Sequence, residues 1–430
     1  MQQQQSQQVT SRRKISYVSQ LGTTQLHLRN PWVVAWWSAA FPGLGHLLLS
    51  KYIRGILLFI WEAVVNYYAH INVAIFYSFI GEFEKAKLVL DKEWMLLYVG
   101  TYIFAIWDSY RTTVDLNNLY ILAAREDAEI QCFTIGALEI NYLDKRSPLN
   151  AFMCCLLSPG MGQLYIHRLI TAIFLLIWWS GACYMSKLLP AIHYSLLGHF
   201  QQAKDIIVIQ HFLSIPSVYV GSIYGAYVNS VENNKLYDWE QSKFLKQQYQ
   251  YEKFRMPIEY GELRSEGMYV IATFEHNHFL ERAVTGIQMK GVSKERILAT
   301  PLDKSGEERK LFDTIHSSDG LSLLDLAAVL GTIFMLLGSI YGFILEWGPI
   351  WWGLIGLFGG ATLGLMIKLI ATNKYAENRT KTDKAAEVVL IIECQGQEVE
   401  MVHSVLWENH ALGVSKLDLA KRPYVLAEQE

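Results

Sequence analysis

Few residues in this chain have the types and spacing that chemistry requires. Glu275, His276 and His278, in the stretch FEHNHF, form a Glu-His-x-His cluster carrying the donors a transition metal prefers. They fall where a strand should pass into a helix, a place where polar side chains are ordinary, and no second group of ligands accompanies them. His403 and Ser404 are neighbours on a predicted helix and so point apart. The sequence contains no Gly-x-Ser-x-Gly elbow, no P-loop and no His-Glu-x-x-His. No catalytic residue, metal or cofactor is therefore expected, and the chain reads as a non-enzyme.

Carboxylates inside apolar runs are the stronger candidates, because a charge there is costly and marks function by default. Three qualify: Glu62 in FIWEAVV, Asp108 and Asp325. Asp108 and Asp325 lie near predicted helix ends, where the lipid–water interface can solvate them. Glu62 lies about 12 Å into its helix at helical rise. It is the candidate for an ion or proton site, or for an ion pair with Lys51 or Arg54.

The elements that must position these groups are apolar helices. Residues 326–345 and 351–371 each approach the ~20 residues a helix needs to cross a bilayer. Charged residues make up 18% of the chain against roughly a quarter in soluble domains, and the mean hydropathy is +0.17. The fold class expected is an α-helical multi-pass membrane protein with the lipid bilayer as its main partner, and a second copy or another membrane protein as further partners. A net charge of −3 with scattered basic residues gives no nucleic-acid footprint. The opening MQQQQSQQVTSRRKISYVSQ has no apolar core or cleavage site, so 1–23 reads as a disordered tail rather than a signal peptide. The cysteines form no Cys-x-x-Cys pair and read as reduced and structural.

The apolar runs of the first half occur twice. FPGLGHLLLSKYIRGILLFIW (41–61) returns as SPGMGQLYIHRLITAIFLLIW (158–178), and the register of 117 residues holds without a gap from 26–120 to 143–237. Arg29 and Pro31 match Arg146 and Pro148; Pro42, Gly43 and Gly45 match Pro159, Gly160 and Gly162; Tyr110, Asn117 and Tyr120 match Tyr227, Asn234 and Tyr237. Polar loops keep register too, YSFIGEFEKAK (77–87) with YSLLGHFQQAK (194–204), which shared apolar composition alone would not produce. Two membrane repeats, 24–122 and 141–239, follow. The functional groups do not recur: Trp179 stands opposite Glu62, and Gln163 opposite His46, which argues against a symmetric pathway or a paired site.

Each repeat holds three apolar stretches, the first broken by Pro-Gly-x-Gly, which removes a backbone donor and weakens the helix. If that stretch is re-entrant the repeats lie parallel; if all three stretches cross they are inverted, as in many transporters. Basic residues favour the parallel arrangement. Arg12, Arg13, Lys14, Arg29, Lys51, Arg54, Arg125, Lys145, Arg146 and Arg168 would then share the cytoplasmic side, against Lys85, Lys87, Lys92, Lys187 and Lys204 outside. The broken step, with Pro42, Gly43, Gly45 and Lys51, then Pro159, Gly160, Gly162, Tyr165 and Arg168, and the helix end IFAIWDSY (103–110), resembles the small bacterial two-transmembrane-helix domain family. That family reads G-x-G-x-H-x-F-Y-L-G-[RK] at the step and closes its last helix with Trp-Asp. Here Leu47 and Leu48 replace the Phe-Tyr pair, and Gly225 stands opposite Asp108. The resemblance implies a helical membrane fold and no particular mechanism.

After a helical linker (240–267) the pattern changes. MYVIATFE (268–275) reads as a buried strand. HFLERAVTGIQMK (278–290) reads as a helix with Phe279, Ala283, Val284 and Ile287 on one face and Asn277 as N-cap, and RILATPL (296–302) as a second strand. A second such unit follows in AEVVLIIEC (386–394), QEVEMVHSVLWEN (397–409) and GVSKLDLA (413–420), so 268–304 and 386–420 are two βαβ halves of a small α+β, ferredoxin-like domain. A transmembrane helical hairpin, 321–372, interrupts it. Its turn EWGPI has no Lys or Arg, whereas Lys304, Arg309, Lys310, Lys374, Arg379, Lys381 and Lys384 lie beyond its other ends, which puts both halves in the cytoplasm. Gly356, Gly360 and Gly364 recur every fourth residue and should let that helix approach its partner closely at Gly331, Gly338 and Gly342, with Leu357 on the lipid face. Val270, Phe274, Glu281, Arg282, Ala283 and the glycines resemble bacterial general-stress-protein domains of the heat-induced type, which carry no established catalytic residues. The expectation is a stress-associated or regulatory protein of a bacterial cytoplasmic membrane that anchors a cytoplasmic module. The alternative is a small-solute or ion transporter using the repeat interface and Glu62.

Overall fold

The chain opens on a short antiparallel hairpin, β1 (Ser16–Ser19) and β2 (Gly22–Gln25). Six helices follow: α1 (Pro31–Ala40), α2 (Leu44–Leu48), α3 (Tyr52–Ala69), α4 (Ile71–Phe79), α5 (Phe83–Val89) and α6 (Lys92–Arg125). A second hairpin, β3 (Phe133–Ile135) and β4 (Ile140–Tyr142), leads to α7 (Pro148–Leu157), α8 (Met161–Tyr165), α9 (Leu169–Ser186), α10 (Leu188–Leu196), α11 (Phe200–Ile206), α12 (Ile209–Phe212) and α13 (Ile215–Tyr249). The structure is a computed structural model and describes residues 12–126, 128–250, 254, 258–259, 262–263, 268–302, 323–373 and 387–418. Helices α1 to α5 begin and end 117 residues before α7 to α11, and α6 has α12 and α13 as its counterpart.

Local chemistry sets these boundaries. Asn30 caps α1 and Ser147 caps α7, each followed by a proline in the first turn, where its missing N–H is not needed. Both helices stop at Pro-Gly because Gly43 (φ 99°) and Gly160 (φ 97°) take the left-handed conformation that a side chain disfavours. The next glycine serves a different purpose. A β-carbon on Gly45 would lie 2.5 Å from the Val34 carbonyl oxygen, and one on Gly162 2.3 Å from that of Ala151, so α2 and α8 double back against α1 and α7. At His70 (φ 55°), α3 breaks and α4 leaves at 64°; Lys187 (φ 58°) stands at the matching point between α9 and α10.

Three helical segments, Leu169–Ser186, Leu324–Tyr341 and Gly348–Ile370, are long and apolar enough to cross a membrane, or up to five if each bent pair counts as one span. Outward apolar residues such as Ile53, Leu57, Ile103 and Ile177 are well exposed, as lipid-facing positions would be.

The tail expected over 1–23 is ordered from Arg12 onward; 1–11 lie outside the described residues. Ile15 and Val18 are buried, and the two hairpins bond each other through Thr134 Oγ1 to the Val18 carbonyl (2.6 Å) and Asn141 Nδ2 to that of Ser19 (2.7 Å). The glutamine-rich opening masked a short strand whose alternation runs over only four residues.

By internal contacts the chain divides into two units, one of 1–232 with 308–377 and one of 233–307 with 378–430. The first also contains α15 (Leu323–Tyr341) and α16 (Gly348–Asn373), which follow α14 (His278–Met289) of the second along the chain. The linker expected to be helical over 240–267 is helical only to Tyr249, and β5 (Ile258–Glu259) and β6 (Glu262–Leu263) form a small ladder beyond it. The second unit is built on β7 (Met268–Phe274), β8 (Ile297–Pro301), β9 (Val388–Cys394) and β10 (Gly413–Asp418), all antiparallel in the order β10-β7-β9-β8. On β9 every second residue, Val388, Leu390, Ile392 and Cys394, is buried. They meet Leu280, Ala283, Val284 and Ile287 of α14 and Val402, Val405 and Leu406 of α17 (Val399–Glu408), so both helices cover one face. Asn277 caps α14 as expected, but Leu280 rather than Phe279 enters the core; Phe279 turns its ring edge to His410. The basic residues expected to flank the hairpin, 304 to 310 and 374 to 384, lie outside the described residues.

Candidate functional site

The left-handed turn at Gly43 swings α2 back so that His46 points into the first unit, where it is fully buried. The first turn of α3 brings Arg54, and the middle of α6 brings Asp108. His46 Nε2 lies 3.0 Å from Asp108 Oδ2, and Arg54 Nη1 donates to the same oxygen at 2.7 Å. An ionised carboxylate only accepts, so the imidazole carries its proton on Nε2, leaving Nδ1 as an acceptor with no hydrogen-bond partner in the structure. Asp108 is 6% exposed, whereas the Arg54 side chain is half-exposed. A cleft of about 280 Å³ opens beside the pair, lined also by Lys51, Arg111, Asp115 and Leu119. Asp108 is thus no surface carboxylate, and Arg54 pairs with it rather than with Glu62. His46, set aside in the sequence because its counterpart is Gln163, is the residue that sequence reasoning missed. No local signal marked it, because its partner Asp108 lies 62 residues further along the chain.

At the positions 117 residues further along the chain the chemistry is gone. Thr171, Gly225 and Asn229 stand where Arg54, Asp108 and Thr112 stand in the first, and they line a cavity of only about 20 Å³. Gln163 Nε2 donates to the Ser222 carbonyl (2.8 Å), and Arg29 Nη2 reaches Asn229 Oδ1 (3.0 Å). Leu48 closes on Gly225, to within 3.0 Å of where a β-carbon would sit.

Glu62, 4% exposed, is held by other polar groups. Asn66 Nδ2 donates to its Oε1 at 3.0 Å and the Tyr98 hydroxyl bonds its carboxylate. Asn66 continues into a net across the α3–α4 bend: Asn72 N and Gln210 Nε2 donate to its Oδ1 (3.2 and 2.8 Å), and Asn72 Nδ2 donates to the Gln210 carbonyl (2.8 Å). Neither of the two cavities above is lined by Glu62. Asp325 is likewise buried, accepting from the Tyr224 hydroxyl at 2.8 Å.

In the hairpin, β-carbons on Gly356, Gly360 and Gly364 would lie 2.0, 2.4 and 2.6 Å from Phe334, Leu330 and Ala327 of α15. Gly356, Gly360 and Gly364 thus pack on larger residues rather than on Gly331, Gly338 and Gly342, of which Gly338 faces the Trp352 carbonyl and Gly331 faces Leu357. Leu357 therefore packs inward, not toward lipid.

In the second unit the Glu-His-x-His residues separate. His276 is buried, its Nδ1 2.9 Å from Gln241 Oε1 and its Nε2 3.2 Å from Ser242 Oγ, while the His278 ring lies tilted against Phe279. Among the described residues no group of three or more His, Cys, Asp and Glu could hold a metal. Trp407 Nε1 donates to His403 Nε2 (3.2 Å), and Ser404 to Glu408 (2.8 Å). The Arg296 guanidinium bonds Glu398 and holds its carboxyl below the usual range; burial pushes the Cys394 thiol up to about 11. The chain matches no family model, no curated protein and no solved structure.

Proposed function

We propose that the chain is a non-enzymatic integral protein of a bacterial cytoplasmic membrane, stress-associated or regulatory, whose duplicated helical platform anchors a ferredoxin-like module in the cytoplasm. The observation that carries this reading is the way Glu62 is held. Its carboxylate is taken up by Asn66 and Tyr98, and Asn66 is tied in turn to Gln210 of the other copy. A carboxylate built into a net that joins two bends suits a brace better than a binding step. The left-handed turns and broken helices that recur at 117 residues support the duplication, and α2 and α8 doubling back supports re-entrant first stretches. The strand order β10-β7-β9-β8 with two helices on one face supports the ferredoxin-like plan. The stress-associated role rests on the resemblance of its strand and helix residues.

The alternative, a transporter or channel for a small solute or ion, draws on the same residue, since a buried carboxylate in a spanning helix is the usual mark of an ion path. Glu62→Gln separates the two. The amide keeps Oε1 as an acceptor for Asn66, so thermal stability in detergent should change by less than about 1 kcal/mol. Proteoliposomes of the wild type and the variant should show the same background proton and cation leak. A wild-type flux that vanishes in Glu62→Gln would establish transport and sink the anchoring reading.

A further inference from the structure

We propose that the cleft beside His46, Arg54 and Asp108 binds a phosphate group, and that its occupant is the headgroup of an anionic glycerophospholipid. This rests on the membrane reading above for its source of ligand, and on the geometry of the cleft for its chemistry. Three cationic side chains, Lys51, Arg54 and Arg111, line it against two carboxylates, Asp108 and Asp115, which leaves one positive charge, the complement of a phosphodiester. The charges are not spent equally. Asp108 takes both Arg54 and His46 on its Oδ2, and Arg111 reaches Asp115 only at 3.8 Å. Lys51 has no ion pair among the described residues and stands at the start of α3, a helix end with no side-chain cap, where the dipole favours an anion.

The surroundings select a lipid. Ile53 stands beside Arg54, and Leu57 and Phe104 lie one turn along the same two helices, all exposed, where acyl chains would run below the headgroup. Trp107, half-exposed, carries the Arg111 guanidinium 5.4 Å over its ring, the arrangement of an interfacial tryptophan. The second copy supplies the contrast. Its matching positions hold Gly225 and Thr171, and its cavity is closed by Leu48 and the Arg29 side chain. Duplication thus left one copy filled and the other open and charged. Asp108, itself bonded by His46, holds Arg54 at the cleft wall.

The test is a titration of the full-length protein in neutral detergent with short-chain phosphatidylglycerol, phosphatidylcholine or glycerol 3-phosphate. Bound ligand is counted by native mass spectrometry, and thermal stability is followed in parallel. Phosphatidylglycerol should bind with a count of one and raise the melting temperature. Lys51→Gln with Arg111→Gln should weaken it about tenfold or more, each basic residue contributing about fivefold at a lipid surface, while Lys92→Gln outside the cleft changes nothing. Both substituted side chains are exposed, so the ligand-free melting temperature should match the wild type; should the pair misfold, Arg111→Gln alone carries the test. Binding of glycerol 3-phosphate with the same dependence on Lys51 and Arg111 would keep the phosphate site and overturn the lipid as its source. Equal binding of phosphatidylglycerol and phosphatidylcholine, or an unchanged affinity in the double variant, would overturn the site. The titration needs no bilayer, so its failure leaves the platform reading standing. Recovery of the protein in the soluble fraction of lysed cells would sink that reading and not this site.

Discussion

Arg296 and Glu398 join the start of β8 to the start of α17 by a two-pronged bond, and this pair makes the second unit sensitive to acid. Hydrogen bonding from the guanidinium lowers the folded pKa of Glu398 below its ordinary value near 4.5. A lowered carboxylate stabilises the fold fully above that value and loses its contribution as pH falls through the folded pKa. Both side chains are about a quarter exposed, so the pair contributes about 1 kcal/mol. The protection of α17 and β8 amides against hydrogen exchange, taken relative to the intrinsic rate at each pH, should therefore fall below about pH 4.5 in the full-length protein, and Glu398→Gln should show the lower protection already at neutral pH with no further step at that point. Identical pH profiles would show the pair to be idle. At this scale the sequence was uneven as a guide. Charge within an apolar run exposed Glu62, Asp108 and Asp325, because hydropathy registers cost directly. Their partners were hidden, since His46 meets Asp108 across 62 residues of chain and no local pattern reports such a contact.

Among the elements, breaks and strands were legible, and bends were not. Pro-Gly-x-Gly announces its own turn, and alternating Val, Leu and Ile announces β9. The 64° bend at His70 has no glycine or proline to betray it; a left-handed histidine is held there by the net around Asn66. The tetrapeptide Gly-Val-Ser-Lys shows the same limit, being a turn at 291–294 and a strand at 413–416. The glycine face of α16 was legible in its period but not in its partners, because period says which side faces a neighbour and not what the neighbour presents. Two adjacent glycines test that face. A β-carbon on Gly360 would lie 2.4 Å from the Leu330 carbonyl oxygen, whereas one on Gly359 would meet nothing within 4 Å. Gly360→Ala should destabilise the protein in detergent by about 1–3 kcal/mol, the usual range for overpacking. Gly359→Ala, the same chemical change one residue away, should be neutral or stabilise by up to about 1 kcal/mol through helix propensity. Equal effects in thermal unfolding would make the glycines filler.

For the whole molecule the open question was whether the two copies run parallel or inverted, and the small hairpins bear on it directly. Hairpin 16–25 bonds hairpin 133–142, and Arg13 pairs with Glu126, so the chain before the first copy and the chain before the second lie together. In the proposed membrane reading this pairing favours an even number of crossings between them, the parallel arrangement with α1–α2 re-entrant, since three crossings per copy would part the hairpins. The glycine hairpin obeys the same rule, since β8 before it and β9 after it are neighbours in one sheet. The proposed reading puts the two hairpins on the cytoplasmic side, which Arg12, Arg13, Lys14, Arg125, Lys145 and Arg146 around them favour. Cys132, exposed between the copies, is the place to look, because the inverted arrangement would put it opposite a reporter fused after Tyr237. In intact cells a membrane-impermeant maleimide should fail to reach Cys132 and should label it only after permeabilisation, while reporters after Tyr237 and at the C-terminus both read cytoplasmic and a tag inserted within α5 reads outside. Labelling of Cys132 in intact cells with a cytoplasmic reporter after Tyr237 would require an odd number of crossings in each copy, and the paired hairpins could not then survive in the membrane.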